Sequence, residues 1–149
     1  MLTVLFGTAE VAAESIAARL AGRFAVAVRD LADTDPADLA AGTLAVAVCS
    51  TYGDGELPTS ARGFAERLAS GARLDGVRFA AFGLGDRTYG ETYSRGADLL
   101  TAAFESAGAE HVLEVGRHDA ATGRSASETA GEWAEGVAEE LAGLVVVEG

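Results

Sequence analysis

The sequence predicts an α/β fold in which five parallel strands form one sheet and helices cover both of its faces. Three observations predict it: short apolar runs recur along the chain, segments with helical spacing separate most of them, and glycine-rich loops follow two of the runs. Because crossover connections are right-handed, few topologies are possible, and the expected strand order is 2-1-3-4-5. Residues 1–149 are expected to form a single domain.

The predicted elements alternate along the chain. The strands are expected at Leu2–Phe6, Phe24–Asp30, Thr43–Ser50, Val77–Gly85 and Glu110–Gly116, each a short and mainly apolar run. The helices are expected at Ala9–Gly22, Ser60–Gly71, Ser94–Gly108 and Ser125–Leu144.

Local signals support the helix boundaries. In the first helix, Ile16 and Leu20 are four residues apart and therefore share a face. Pro58 and Thr59 form a start signal for the second helix. The third helix ends in glycine, and Ser125 or Ser127 opens the fourth.

Composition restricts the class of protein. The net charge of −12 argues against nucleic acid and anionic membranes as partners; it suits a basic partner protein, or it serves solubility alone. No apolar run is long enough to span a membrane, and the first residues lack the features of a signal peptide. The single cysteine, Cys49, cannot form an internal disulfide, so a cytoplasmic location is expected.

The predicted sheet places a ligand site before any motif is considered. In a sheet of order 2-1-3-4-5, ligands bind outside the carboxyl ends of the strands, near strands 1 and 3. The loops after strands 1, 3 and 4 are therefore expected to converge. The loops after strands 3 and 4 read "STYGDGELPTS" and "GLGDRTYGETY", and they hold all three tyrosines of the chain, each near a glycine.

These two loops, with the helices that follow them, resemble the flavodoxin superfamily. The segments "STYGDGELPTSARGFAERL" and "FGLGDRTYGETYSRGADLL" are similar above all to short flavodoxin-like proteins and to the FMN domains of diflavin reductases. The resemblance extends from the first strand to the last helix. It implies a flavodoxin-like fold and non-covalent FMN binding.

The resemblance also implies roles for particular residues. Tyr89 would lie against one face of the isoalloxazine ring and Tyr52 against the other, while the Gly53 carbonyl could turn toward flavin N5. Nearby carboxylates would disfavour an anionic reduced flavin and so lower its potential; they belong to Asp54, Glu56 and Asp86. The residues assigned to the cofactor are Thr8, Ala9, Glu10, Ser50, Thr51, Tyr52, Gly53, Asp54, Gly55, Gly85, Asp86, Tyr89 and Tyr93.

The first loop departs from the family pattern. The family cradles the FMN phosphate in a hydroxyl-rich turn before the first helix, whereas here about three residues of that turn are missing and only Gly7 and Thr8 remain. Helix-start amides still attract phosphate, but Glu10 adds a negative charge there and the loop has no cation. The sequence therefore predicts that phosphate contributes less to binding than usual.

The remaining candidate residues have simpler interpretations. Cys49 is expected to be a buried core residue and Trp133 a packing residue. His118 and Asp119 are expected in a solvated loop after strand 5, and the glutamates of the last helix on a solvated face. No cluster of histidine and cysteine supports a metal site.

Two functions follow from these observations. The first is a small FMN-binding electron carrier between a reductase and a redox enzyme; no residue set performs acid–base chemistry, so an electron-transfer protein rather than an enzyme is expected. The alternative is a protein that keeps the fold, has lost FMN or binds a flavin without phosphate, and acts as a binding or accessory protein.

Overall fold

The computed structural model describes residues 2–51, 56–85 and 95–146. Its strands and helices, in chain order, are β1 (Leu2–Gly7), α1 (Glu10–Leu20), β2 (Val26–Asp30), β3 (Leu44–Ser50), α2 (Thr59–Ala69), β4 (Arg78–Gly85), α3 (Arg95–Ser106), β5 (Glu110–His111), β6 (Gly116–Asp119) and α4 (Ala126–Val146). Two short 3₁₀ turns, Leu31–Asp33 and Pro36–Asp38, take the place of a crossover helix between β2 and β3.

The sheet is parallel and has the predicted order. β1 lies between β2 and β3, and the sheet continues from β3 through β4 to β5. All residues of β1 are buried, as are all but the last of β3, because helices cover both faces of the sheet. The predicted α/β fold with strand order 2-1-3-4-5 is therefore confirmed.

The predicted fifth strand is wrong in one respect, since it is divided into two short pieces that both pair with β4. Four residues lie between His111 and Gly116, whereas two lie between their partners Phe79 and Phe82, so the outer strand carries two extra residues. Within that excursion, Leu113 packs into the core on one face of the sheet and Val115 into the core on the other. Both apolar side chains are accommodated only because the strand leaves its regular register.

The core consists of one apolar layer on each face. On the face of α2 and α3, Phe104 lies between Phe64 and Phe79, with ring centroids 5.6 and 5.0 Å away. On the face of α1 and α4, the Trp133 indole packs on Phe82 with their centroids 5.3 Å apart, which confirms Trp133 as a packing residue. These two layers hold the strand ends in fixed relative positions.

The glutamates of α4 are exposed, as predicted, and some of them also form ion pairs with arginines. Arg19 of α1 donates to Glu135 at 2.7 Å, and Arg23, just after that helix, donates to Glu139 at 3.2 Å. Such exposed ion pairs contribute little to stability individually. They nevertheless align α1 with α4 along the side of the sheet opposite to α2 and α3.

Candidate functional site

The carboxyl ends of β1, β3 and β4 meet at one edge of the sheet, as predicted. Gly7 pairs in register with Cys49, which pairs with Gly83, and Ser50 pairs with Leu84. Because the strands are parallel, their last residues, Gly7, Ser50 and Gly85, all lie at this edge.

The first loop contains only two residues between β1 and α1. Thr8 has a φ of +50° and is exposed, and Ala9 occupies the N-cap position without a side-chain hydrogen bond to the helix. Since the first amides of a helix have no acceptor within it, the positive end of α1 is left without a side-chain cap.

The start of α1 opens onto a cleft of about 540 Å³. Its lining comes from the first loop and from the neighbouring element ends: Phe6, Thr8, Ala9, Glu10, Val11, Ala12, Asp30, Ser60, Leu84 and Ala126. The Glu10 side chain is exposed at this start. Among the described residues that line the cleft, the charged ones are two carboxylates, Glu10 and Asp30, and none is an arginine.

Ser60 is a site residue that the sequence analysis missed. It lies in the first turn of α2, and its Oγ is 2.7 Å from Thr8 Oγ1. The sequence contained a signal for Ser60: helices that follow adjacent parallel strands begin at the same edge of the sheet, so the start of α2 lies beside the first loop. Ser60 supplies a hydroxyl beside a loop that has lost most of its own.

Ser50 and Thr51 lie at the end of β3, and both of their hydroxyls are bound within the protein. Ser50 Oγ donates to the Thr8 carbonyl oxygen at 2.7 Å, and Thr51 Oγ1 accepts from the Gly96 amide at 2.9 Å. Direct contact of these two residues with a cofactor stays a prediction.

Cys49 is fully buried behind this site, as expected for a core residue. Burial raises the pKa of its thiol from 9.0 to about 12, because the thiolate would lose its hydration. Its Sγ is 3.3 Å from the Ser50 carbonyl oxygen. The thiol is therefore unsuited to act as a nucleophile or a redox group near neutral pH.

The expectation that His118 occupies a solvated loop is wrong. Residues 116–119 form β6 beside β4, and His118 is 5% exposed with its Nδ1 3.1 Å from Thr129 Oγ1. Thr129 of α4, eleven residues further along the chain, provides the hydrogen-bond partner that makes the burial of His118 possible. Gly85, a predicted site residue, is half-buried at the end of β4 and pairs in register with Asp119.

The residues predicted to surround the flavin ring lie outside the described residues. They are Tyr52, Gly53, Asp54 and Gly55 after β3, and Asp86, Tyr89 and Tyr93 after β4. Glu56, just after the first of these segments, is exposed and accepts from Arg62 at 2.8 Å. Its charge is thus paired with that of Arg62, and its effect on a flavin potential stays a prediction.

The described part of the chain contains no grouping of histidine, cysteine or carboxylate side chains that could hold a metal ion. None of the helices in that part is both long enough and apolar enough to cross a membrane.

A family model described as flavodoxin matches residues 5–144, so the chain belongs to the flavodoxin family. One curated relative is the NADPH-dependent diflavin oxidoreductase 1 of Mycosarcoma maydis, 35% identical over 127 residues that cover 79% of this chain and 19% of the relative. Another is the bifunctional cytochrome P450/NADPH–P450 reductase 2 of Bacillus subtilis, 35% identical over 126 residues that cover 80% of this chain and 12% of the relative. This chain therefore spans a fifth or less of the length of these two relatives.

Among solved structures, a flavodoxin from Streptococcus pneumoniae TIGR4 superposes with a TM-score of 0.78 at 33% identity, over 95% of this chain and 97% of that one. Membership of the family implies FMN binding. The geometry at the start of α1 fits the phosphate end of that cofactor, since an uncapped helix start and the hydroxyls of Thr8 and Ser60 face one cleft. Glu10 and Asp30 oppose the same phosphate by charge.

Proposed function

We propose that this domain is an FMN-binding electron carrier that passes electrons between a reductase and a redox enzyme. The observation that carries the proposal is that the carboxyl ends of β1, β3 and β4 meet at one edge of a flavodoxin sheet, next to the open start of α1. When bound, FMN supplies reversible redox chemistry; the protein supplies orientation, shielding and charge.

The proposed roles divide between two ends of the cofactor. Tyr52 and Tyr89 hold the two faces of the ring, and the Gly53 carbonyl faces N5. The amides at the start of α1, with the hydroxyls of Thr8 and Ser60, hold the phosphate. Stacking fixes the orientation of the ring without requiring hydrogen bonds.

The partners in this proposal are proteins with a basic docking face. The net charge of −12 supports this part of the proposal, because opposite charge accelerates the encounter of the two proteins. We place the domain in the cytoplasm, where the free and buried Cys49 would remain reduced.

A second candidate is a domain that binds a flavin without phosphate. Two observations favour it: the first loop has only two residues, and the part of the cleft lining that the structure describes contains Glu10 and Asp30 but no arginine. Comparison of FMN with riboflavin as ligands distinguishes the two candidates. Complete loss of flavin binding is not favoured, given the family membership.

The test is electron transfer by the FMN-loaded domain. The domain is reduced anaerobically and mixed with ferric cytochrome c, a basic one-electron acceptor, over a range of salt concentrations; free FMN at equal concentration is the control. We expect reduction of cytochrome c that slows as the salt concentration rises. A domain that binds no flavin, or that binds FMN and reduces no acceptor, would refute the proposal.

A further inference from the structure

The cleft at the start of α1 is larger than a phosphate group requires. Its volume is about 540 Å³, which is within the range of pockets that hold whole small molecules, whereas the proposed function uses only the part beside Thr8 and Ser60. Its described lining also includes Asp30 at the end of β2 and Ala126 at the start of α4. The cleft therefore extends along the edge of the sheet and has room for a ligand that continues beyond the phosphate.

The short first loop and the charge of the cleft favour such a longer ligand. Only Thr8 and Ala9 separate β1 from α1, so this loop has no further residues that could close over the far side of a phosphate. A terminal phosphate carries roughly two negative charges, which Glu10 and Asp30 oppose. Each phosphate of a diphosphate that joins two groups carries a single charge, so the same carboxylates oppose it less.

Asp30 offers a carboxylate to hydroxyl groups at one end of the cleft. It is half-buried at the carboxyl end of β2, the strand that follows α1. Its Oδ1 accepts from the Ala32 amide at 2.9 Å, and within the described part of the chain no arginine pairs with it. In doubly wound sheets that bind dinucleotides, a carboxylate in this position accepts hydrogen bonds from the hydroxyls of a ribose.

The remainder of the cleft lining is mainly apolar. Phe6 and Ala12 are buried, and Leu84 is half-buried. Val11 is 67% exposed, although it is one of the large apolar side chains. A flat aromatic base in the cleft would remove this apolar surface from water.

A carboxylate for a sugar and an apolar surface for a base are together the requirements of a nucleoside. We propose that the cleft is a subsite for the adenosine half of FAD, so that the domain accepts FAD as well as FMN. The ribose hydroxyls donate to Asp30, the adenine covers Val11, and the diphosphate lies at the start of α1. FAD is the flavin in which a nucleoside continues from the FMN phosphate. This inference rests on the proposed function, which places the flavin half of the ligand.

The first experiment titrates FAD and FMN into the flavin-free wild type, Asp30→Asn and Asp33→Asn by calorimetry. We expect the wild type to bind FAD about tenfold more tightly than FMN. Asp30→Asn keeps an acceptor for the Ala32 amide but loses the charge, so it should weaken FAD about fivefold and leave FMN unchanged or strengthened. Asp33→Asn is the matched control, because Asp33 is exposed in the next turn and is absent from the described lining.

The controls separate this inference from the proposed function. FAD bound no more tightly than FMN, or Asp30→Asn weakening both ligands equally, would overturn the inference and leave the electron carrier intact. An equal loss of FAD binding in Asp33→Asn would also overturn it, since the effect would then be one of net charge.

The second experiment needs no flavin. The nucleotide 5′-AMP, its 2′-deoxy analogue and inorganic phosphate are added separately to the wild type, and backbone amide shifts are followed by NMR. We expect 5′-AMP to shift the amides of Val11, Ala32 and Ala126, to leave Phe104 unchanged, and to bind severalfold more tightly than the 2′-deoxy analogue. Absence of these shifts, or the same shifts with inorganic phosphate, would overturn the inference. If the wild type binds neither FMN nor FAD, the proposed function fails, and the 5′-AMP titration still decides whether the cleft holds a nucleotide.

Discussion

Substitution of Gly7 by alanine tests how closely α2 must approach the end of β1. Gly7 is the last residue of β1, and a Cβ there would lie 2.9 Å from Ala61 Cβ and 3.4 Å from both Cys49 Sγ and Pro58 Cγ. Alanine has no flexible end that can turn away, so the first turn of α2 must move by several tenths of an ångström. Overpacking of this kind costs about 1–3 kcal/mol. For a chain of this length, at about 2–4 °C per kcal/mol, we expect the Tm to fall by roughly 2–12 °C.

The assay is thermal unfolding of the flavin-free protein, followed by far-UV circular dichroism. Gly136→Ala is the matched control, because Gly136 is exposed within α4 and a Cβ there meets no atom within 4 Å. The same chemical change should stabilise the protein at that position, by about 0.5–1 kcal/mol, through its effect on helix propensity. A Tm for Gly7→Ala equal to or above that of the wild type would refute the close packing of β1 against α2.

Three further predictions concern the site. Glu10→Gln should strengthen FMN binding and leave riboflavin nearly unchanged, since it removes a carboxylate from the cleft; calorimetry that finds equal gains for both flavins would contradict this. Tyr89→Ala should weaken flavin binding more than Tyr93→Ala, by about 0.5–1.5 kcal/mol beyond the lost buried area, and equal losses in fluorescence titrations would disprove the assignment. Cys49, whose pKa burial raises to about 12, should resist iodoacetamide at pH 8 until the protein unfolds. Because the folded state disfavours its thiolate, the free energy of unfolding should decrease as the pH rises above 9; alkylation of the native protein at the rate of a free thiol would contradict both expectations.

The general fold was predictable because its determinants are local. Continuous apolar runs such as those of β1 and β3 indicate strands buried on both faces, and right-handed crossovers then restrict their order. The interruption between β5 and β6 was not predictable in the same way. Leu113 and Val115 are two residues apart and would share a face in a regular strand, and only their packing into opposite core layers reveals the irregularity.

The site was predictable in outline and less so in detail. The edge of the sheet and the loops that contain the tyrosines follow from topology and composition. Hydrogen bonds of hydroxyl groups between distant segments do not follow from them. Thr51 contacts Gly96, and Thr8 contacts Ser60, only because the elements pack together in the fold. Burial of His118 has the same origin, because its partner Thr129 belongs to a different element.

The most direct test of the central claim is the affinity of the purified, flavin-free domain for FMN compared with riboflavin, measured by calorimetry. We expect both to bind, because stacking holds the ring, and FMN to be preferred by only about tenfold, near 1.4 kcal/mol, because the short first loop provides few phosphate donors. A preference of a thousandfold or more would show that Thr8, Ser60 and the start of α1 form a full phosphate site despite Glu10 and Asp30. Absence of binding by either flavin would contradict the claim that this domain carries electrons on FMN.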